Sequence, residues 1–249
     1  MQSQNLYIYG RQPVLEALRS RHPVLGVYLA KNVSGKAIGS IRKICENRSI
    51  TVKTIDKNAL QKFVGPVVHQ GVVAFVRFQP YLDEPQWQHL VNTEQNPLVL
   101  IADQIQDPHN LGAILRTAEI TGVDCIVLPQ KGSAPLNATV AKTSAGALFH
   151  THFYLAPVLE ETLLQLREKA FSIFATMPAA QQLMYQANFN DKTALIIGSE
   201  GKGVRKSLLH YCTHSIKIPQ FGKVNSLNAS VSAAIVLYEV IRQRKFSDL

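Results

Sequence analysis

The chain is poor in the features that would take it outside the ordinary globular proteins. Of its 249 residues only 3 are cysteine. Cys45, Cys125 and Cys212 are far apart and form no Cys-x-x-Cys pair, which argues against a disulfide framework and leaves reduced, packed thiols as the expectation. Long apolar runs are missing too. The stretch from Ala233 to Tyr238 falls far short of the roughly 18 residues a membrane-spanning helix needs. The opening Met1-Gln2-Ser3-Gln4-Asn5 lacks a basic cluster followed by an apolar core, so it does not read as a secretory leader, and a cytoplasmic protein is expected. With 46% hydrophobic residues and 14 Gly and 12 Pro spread along it, the chain is too apolar for disorder and too irregular for a fibre. Its length suits a small and a medium domain side by side.

Acidic residues are also scarce, but only in one place. Residues 1–76 carry 11 Lys or Arg against 3 Asp or Glu, whereas residues 77–249 carry 15 against 14, so nearly all of the net +9 lies in the first third. A confined basic excess suits a polyanion, nucleic acid above all, because Lys and Arg displace counterions from phosphates. A well-solvated basic surface accounts for the charge equally well.

The pattern along the chain divides it. In residues 1–76, short alternating strands such as Ser49–Ile55 mix with helical stretches, one of them pairing an apolar stripe of Ile38, Ile41 and Cys45 with a basic face. This is a compact α/β module. Residues 77–96 contain Pro80, Pro85 and the only tryptophan, Trp87, show little periodicity, and read as a linker. From residue 97 to 249, continuous apolar strands such as Leu98–Ala102 and Ala194–Ile197 alternate with helices, including Asn110–Thr121, Val204–Tyr211 and Ser226–Arg244. That alternation implies a parallel sheet covered on both faces, with ligands beyond the carboxyl ends of its strands.

Three segments leave those strands with unusual composition. The first is Asp107-Pro108-His109-Asn110-Leu111-Gly112, with Arg116 one turn after Gly112. Asn110 would cap the helix, and Gly112 with Arg116 would lie off its core face. A helical glycine costs about 1 kcal/mol, which a close approach to the backbone would explain. The second is Gly198-Ser199-Glu200-Gly201-Lys202-Gly203, whose glycines permit positive φ and backbone contact with a ligand, or simply a turn. Its spacing fits neither a nucleotidase phosphate loop nor a dinucleotide fingerprint. The third, Val224-Asn225-Ser226-Leu227-Asn228-Ala229-Ser230, supplies either a helix cap or a ligand-facing helix start.

Together the three segments resemble the motifs of the SpoU branch of the knotted SPOUT RNA methyltransferases: Asn110-Leu111-Gly112-Ala113-Ile114 with Arg116-Thr117-Ala118, Gly198-Ser199-Glu200-Gly201 with Gly203, and Ser226-Leu227-Asn228 with Ser230. The opening Tyr9–Leu18 and His69-Gln70-Gly71 are similar to the family's small ribosomal-protein-like substrate-binding domain. The resemblance implies an α/β chain with a C-terminal trefoil-knotted parallel-sheet domain and that small N-terminal domain. It further implies S-adenosylmethionine as methyl donor, a homodimer whose subunits complete each other's sites, and a ribose 2′-hydroxyl as acceptor. It assigns Asn110, Arg116, Glu200, Ser226 and Asn228 to the catalytic and substrate-facing set, and Gly198, Ile218 and Leu227 to the donor pocket. Such chemistry requires in-line placement and help in removing a proton, but no metal.

A guanidinium is a costly base, so Arg116 is expected to act as a charge, gripping a phosphate and stabilising developing alkoxide. His150 and His152 lack a third ligand nearby, and no metal site is expected. The separate basic domain is similar to the branch that modifies a guanosine of 23S ribosomal RNA. A transfer-RNA ribose methylase and a non-catalytic ribosome-assembly factor are the alternatives.

Overall fold

A computed structural model describes residues 4–93 and 95–246, so the first residues of the polar opening lie outside it. Elements follow in the order β1 (Gln4–Tyr9), α1 (Arg11–Arg19), β2 (Val24–Ala30), α2 (Lys36–Asn47), β3 (Val52–Ile55), α3 (Lys57–Val64), β4 (Val72–Phe78) and α4 (Glu84–Thr93). Then come β5 (Leu98–Asp103), α5 (Pro108–Ile120), β6 (Cys125–Pro129), α6 (Ala138–Thr143), β7 (Phe153–Ala156), α7 (Leu159–Glu168) and β8 (Ser172–Thr176). The chain closes with β9 (Gln182–Leu183), β10 (Thr193–Gly198), α8 (Lys206–Leu209), β11 (His214–Lys217) and α9 (Ala229–Lys245).

These elements form two compact units. One comprises the chain through Pro80 together with Pro135–His150; the other comprises Tyr81–Ala134 and the chain from Thr151 onward. The first holds a four-stranded mixed sheet, β1-β4-β2-β3, in which only β2 and β3 run parallel. Segment 135–150 joins this unit through named contacts. Gln4 Nε2 donates to the Leu136 carbonyl at 3.0 Å, and His150 Nε2 lies 3.0 Å from Glu16 Oε2. Gly146, at φ +95°, lies so close to α1 that a Cβ there would fall 2.7 Å from Glu16 Cβ. Asn137 caps α6 by accepting from the Thr139 and Val140 amides at 3.0 and 3.1 Å.

The second unit holds a seven-stranded sheet in the order β7-β6-β5-β10-β8-β11-β9, every described pairing parallel. Its central strands β5 and β10 are buried almost throughout, as continuous apolar strands covered on both faces must be. From β5 the order runs outward through β6 and β7, from β10 through β8 and β11, so the crevice at the carboxyl ends of β5 and β10 is a topological switch point.

Several local expectations are corrected. Residues 77–96 include helix α4, and Trp87 is fully buried, stacked on Tyr154 with ring centroids 4.4 Å apart. One large aromatic gives that helix its anchor, a cause that leaves no periodicity to read. Helix α5 begins at Pro108, not Asn110, because Asp107 accepts from the His109 and Asn110 amides and proline is preorganised for the first turn. Asn110 therefore sits inside the helix with its side chain free for other use. Gly112 belongs to the buried face of α5 rather than lying off it. The last helix begins at Ala229 with Asn228 as its cap, so Ser226 precedes it. Helix α8 shrinks to Lys206–Leu209, because Gly203 is at φ +63° and Arg205, its amide bound by Asp103, is at ψ 134°, outside the helical range.

Candidate active site

The site is built at the carboxyl ends of β5 and β10. In register, Gly198 stands opposite Asp103. Beyond Gly198 the chain doubles back, and the Ser199 carbonyl accepts from the Gly203 amide at 2.8 Å. A Cβ at Gly198 would lie 2.0 Å from the Gly203 carbonyl carbon and 2.2 Å from the Val204 nitrogen, so backbone crossing backbone is what demands glycine. The loop's exit is tied down by the fully buried Asp103. Its Oδ2 accepts from the Arg205 amide at 2.9 Å and its Oδ1 from Arg205 Nε at 2.7 Å. A buried carboxylate paired and hydrogen-bonded in this way meets the condition for keeping a charge out of water.

Against this loop lies a cavity of about 420 Å³. Its walls include Met177 and Pro178 after β8, Gly198 and Glu200, and Ile218, Ser226 and Leu227 after β11. Each donor-pocket residue expected from the sequence, Gly198, Ile218 and Leu227, is among them. The size falls in the range of small-molecule and cofactor sites, and apolar side chains beside glycine backbone suit a nucleoside-bearing amino acid. The β8 end was missed: Thr176, Met177 and Pro178 carry no loop composition that marks them, and only the sheet order brings them beside β10.

Beside the cavity the three segments meet through amides. Asn110 Nδ2 donates to Glu200 Oε1 at 3.0 Å. Asn228 Nδ2 donates to Asn110 Oδ1 at 2.9 Å and also to Glu200 Oε1. The other end of the Asn228 amide is engaged, because Oδ1 accepts from the Ser230 amide at 2.9 Å and the Val231 amide at 3.3 Å as the cap of α9. One residue thus ties a helix start to the cluster. Glu200 Oε2 has no partner among the described residues.

Arg116 is not in this cluster. It is exposed on α5, roughly 9 Å along the axis from Asn110, and makes no hydrogen bond or ion pair among the described residues, Glu119 included. The family resemblance groups Arg116 with Glu200 and Ser226 of the same or a partner subunit; within one chain, Glu200 is joined to Asn110 and Asn228, and Arg116 lies outside their hydrogen-bond network. Among the described residues no group of three or more His, Cys, Asp or Glu is placed to hold a metal ion, and His150 is engaged with Glu16. No described helix is long and apolar enough to cross a membrane.

A parallel α/β sheet with a glycine-lined cavity and an amide-carboxylate cluster at its switch point defines the class, an α/β protein with a ligand site of the size a nucleoside-bearing cosubstrate needs. The model of the SpoU rRNA Methylase family matches residues 97–238, and that for RNA 2′-O ribose methyltransferase substrate binding matches residues 7–82. A Staphylococcus aureus protein named for the TrmH family of tRNA/rRNA methyltransferases is 37% identical over 95% of this chain and 96% of its own. A solved RNA 2′-O ribose methyltransferase is 26% identical over 96% of this chain and 89% of its own, with a TM-score of 0.80. A TrmH/SpoU tRNA-modifying enzyme from A. aeolicus is also 26% identical, but over 66% of this chain and 83% of its own, with a TM-score of 0.56. The chain therefore belongs to the SpoU family of RNA methylases, within the knotted SPOUT fold. It is an S-adenosylmethionine-dependent RNA ribose 2′-O-methyltransferase.

Proposed function

We propose that the RNA is ribosomal and the methylated residue a guanosine of the large-subunit 23S RNA, as in RlmB-type enzymes. One observation carries this reading: the tRNA-modifying relative shares only 66% of this chain, whereas the substrate-binding match occupies residues 7–82, where the basic excess lies. A transfer-RNA substrate is the second reading, favoured by the tRNA/rRNA naming of the Staphylococcus relative. The enzyme would then work where its RNA is, in the cytoplasm.

The donor supplies an electrophilic methyl group, and the chain's residues have three tasks. The walls at Gly198, Ile218 and Leu227 hold the donor largely through backbone and apolar contact. Asn110 and Asn228 lock the Glu200 carboxylate through Oε1, leaving Oε2 as the acceptor available to the ribose hydroxyl proton. Ser226 stands at the cavity wall to orient the nucleotide. Arg116 grips the adjoining phosphate and stabilises the developing alkoxide as a preorganised charge.

Because Arg116 is exposed and unpaired within one chain, this assignment calls for a homodimer in which α5 and α9 meet a partner and Arg116 reaches the second subunit's site. Exposed Val231 and Tyr238 on α9 are the apolar residues such a contact would cover. Mapping ribose methylation in 23S RNA and transfer RNA from cells lacking the protein tests the target: loss at one 23S guanosine is expected, and loss confined to transfer RNA would overturn it. For Arg116→Lys, RNA binding within a few fold and turnover lower by about 100-fold are expected. An equally active lysine variant would remove bidentate grip from the mechanism. Equilibrium sedimentation that finds only monomer at working concentration would sink the shared site.

A further inference from the structure

The N-terminal unit contains a second recess, of about 760 Å³, distant in sequence from every residue of the active site. It opens between the ends of β2 and β4 and the start of α3, with Arg11, Lys31, Lys57 and His69 among its walls. Lys31 is partly neutralised by Asp56, whose Oδ1 lies 3.0 Å from Nζ, both side chains exposed. Arg11 is steadied by Gln70, its amide donating to Oε1 at 3.0 Å and its Nε to the Gln70 carbonyl at 3.4 Å.

His69 is the group that makes this a built site. Its side chain is buried, the residue being only 3% exposed, and Nδ1 accepts from the Gly71 amide at 3.1 Å. That bond fixes the proton of the neutral ring on Nε2, which has no partner among the described residues and belongs to a ring lining the recess. Burial, and then the charge of Lys57, push the imidazole below its ordinary pKa and keep it a neutral donor. Next to it, Val68 is 78% exposed, an apolar side chain left in water at the rim.

A further cation comes from an unexpected part of the chain. Lys142 lies on α6, outside the segment matched by the substrate-binding family and within the segment matched by the methylase family. Its Nζ packs on the backbone where α1 begins: a Cβ at Gly10 would fall 2.6 Å from that nitrogen and 3.3 Å from Gln70 Oε1. No described residue accepts a hydrogen bond from Lys142, and burial lowers its pKa. A half-buried ammonium with no counter-charge is a group waiting for an anion.

We propose that this recess, completed by Lys142, holds one backbone phosphate of the RNA substrate, with an unstacked nucleotide lying over Val68. The site deepens the RNA-methylation reading and rests on it for the identity of the polyanion. Its cations come from both halves of the sequence, so RNA grip requires segment 135–150 folded onto the N-terminal sheet.

The test uses the full-length protein and ribosomal RNA from cells lacking it, with RNA binding measured by filter retention across a salt series and donor binding by calorimetry. Lys142→Met, which keeps the stem, and Lys57→Ala should each weaken RNA binding by about three- to tenfold and flatten the salt slope by roughly one contact, with donor binding unchanged. Lys142→Arg should restore most of the binding. Lys43→Ala removes the same charge from the exposed face of α2 and should cost less than twofold. Equal losses from Lys43→Ala and Lys142→Met would reduce the recess to diffuse charge and overturn the proposal. So would a mononucleotide that competes as well as RNA per phosphate, which would make this a small-molecule site. If the unaltered protein binds RNA but transfers no methyl group to it, the methylation reading fails while the binding series still decides the recess.

Discussion

The two sheets of this molecule are stabilised and used in different ways. In the N-terminal unit the strands are partly exposed and mostly antiparallel, and an aromatic cluster including Tyr7, Tyr28 and Phe63 covers part of the sheet. In the second unit the strands are parallel, the central ones buried on both faces, and function gathers where their carboxyl ends meet loops. One surface offers side-chain charge; the other offers backbone shape and oriented amides. The difference shows why a basic excess can be confined to one third of a chain whose chemistry resides in the remainder. Phosphate binding tolerates a solvated surface, whereas methyl transfer needs fixed distances.

Substitutions in each unit should separate these roles. The largest effect is expected from Gly198→Ala. With no space for a Cβ between crossing backbones, donor binding by calorimetry should fall below detection, and retained affinity would show that the loop can shift. Next comes Trp87→Ala, which empties a buried ring site and should cost about 3–5 kcal/mol in denaturant unfolding while leaving the salt slope of RNA binding intact. A smaller loss, about 1 kcal/mol, is expected for Asn137→Ala, which uncaps α6. That variant should loosen RNA binding and spare the donor; the reverse pattern would break the division of labour between the sheets.

The smallest effect is a pH dependence. His69 has a folded pKa below the ordinary value near 6.5, so its contribution to stability is present above that value and lost as pH falls below it. Acid titration of the unfolding midpoint should therefore fall less steeply for His69→Gln than for the unaltered chain between about pH 6.5 and 5. An identical decline would mean that the Gly71 amide bond does not depend on the neutral ring.

Elements whose cause is local were legible in the sequence. The continuous apolar strands at 98–102 and 194–197 predicted a covered parallel sheet, and the three polar segments marked the strand ends where Glu200, Asn110 and Asn228 converge. The cavity residues Gly198, Ile218 and Leu227 were readable as well, through motif resemblance rather than periodicity. Helix α4 was not, because its hold on the unit depends on one tryptophan meeting Tyr154, a partner 67 positions away by sequence number. Asn110 was misread as a cap, because capping preference alone cannot choose between Asn110 and Asp107 three residues earlier.

By itself, then, the sequence determined where charge, apolar strands and glycine-rich turns lie, since those follow from composition and from contacts between near neighbours. Only the tertiary structure decided that segment 135–150 joins the N-terminal sheet, that Lys142 packs on Gly10, and that Arg116 stays outside the amide cluster of its own chain. Those placements depend on which distant surfaces pack together, and packing energy comes from partners that no local pattern names.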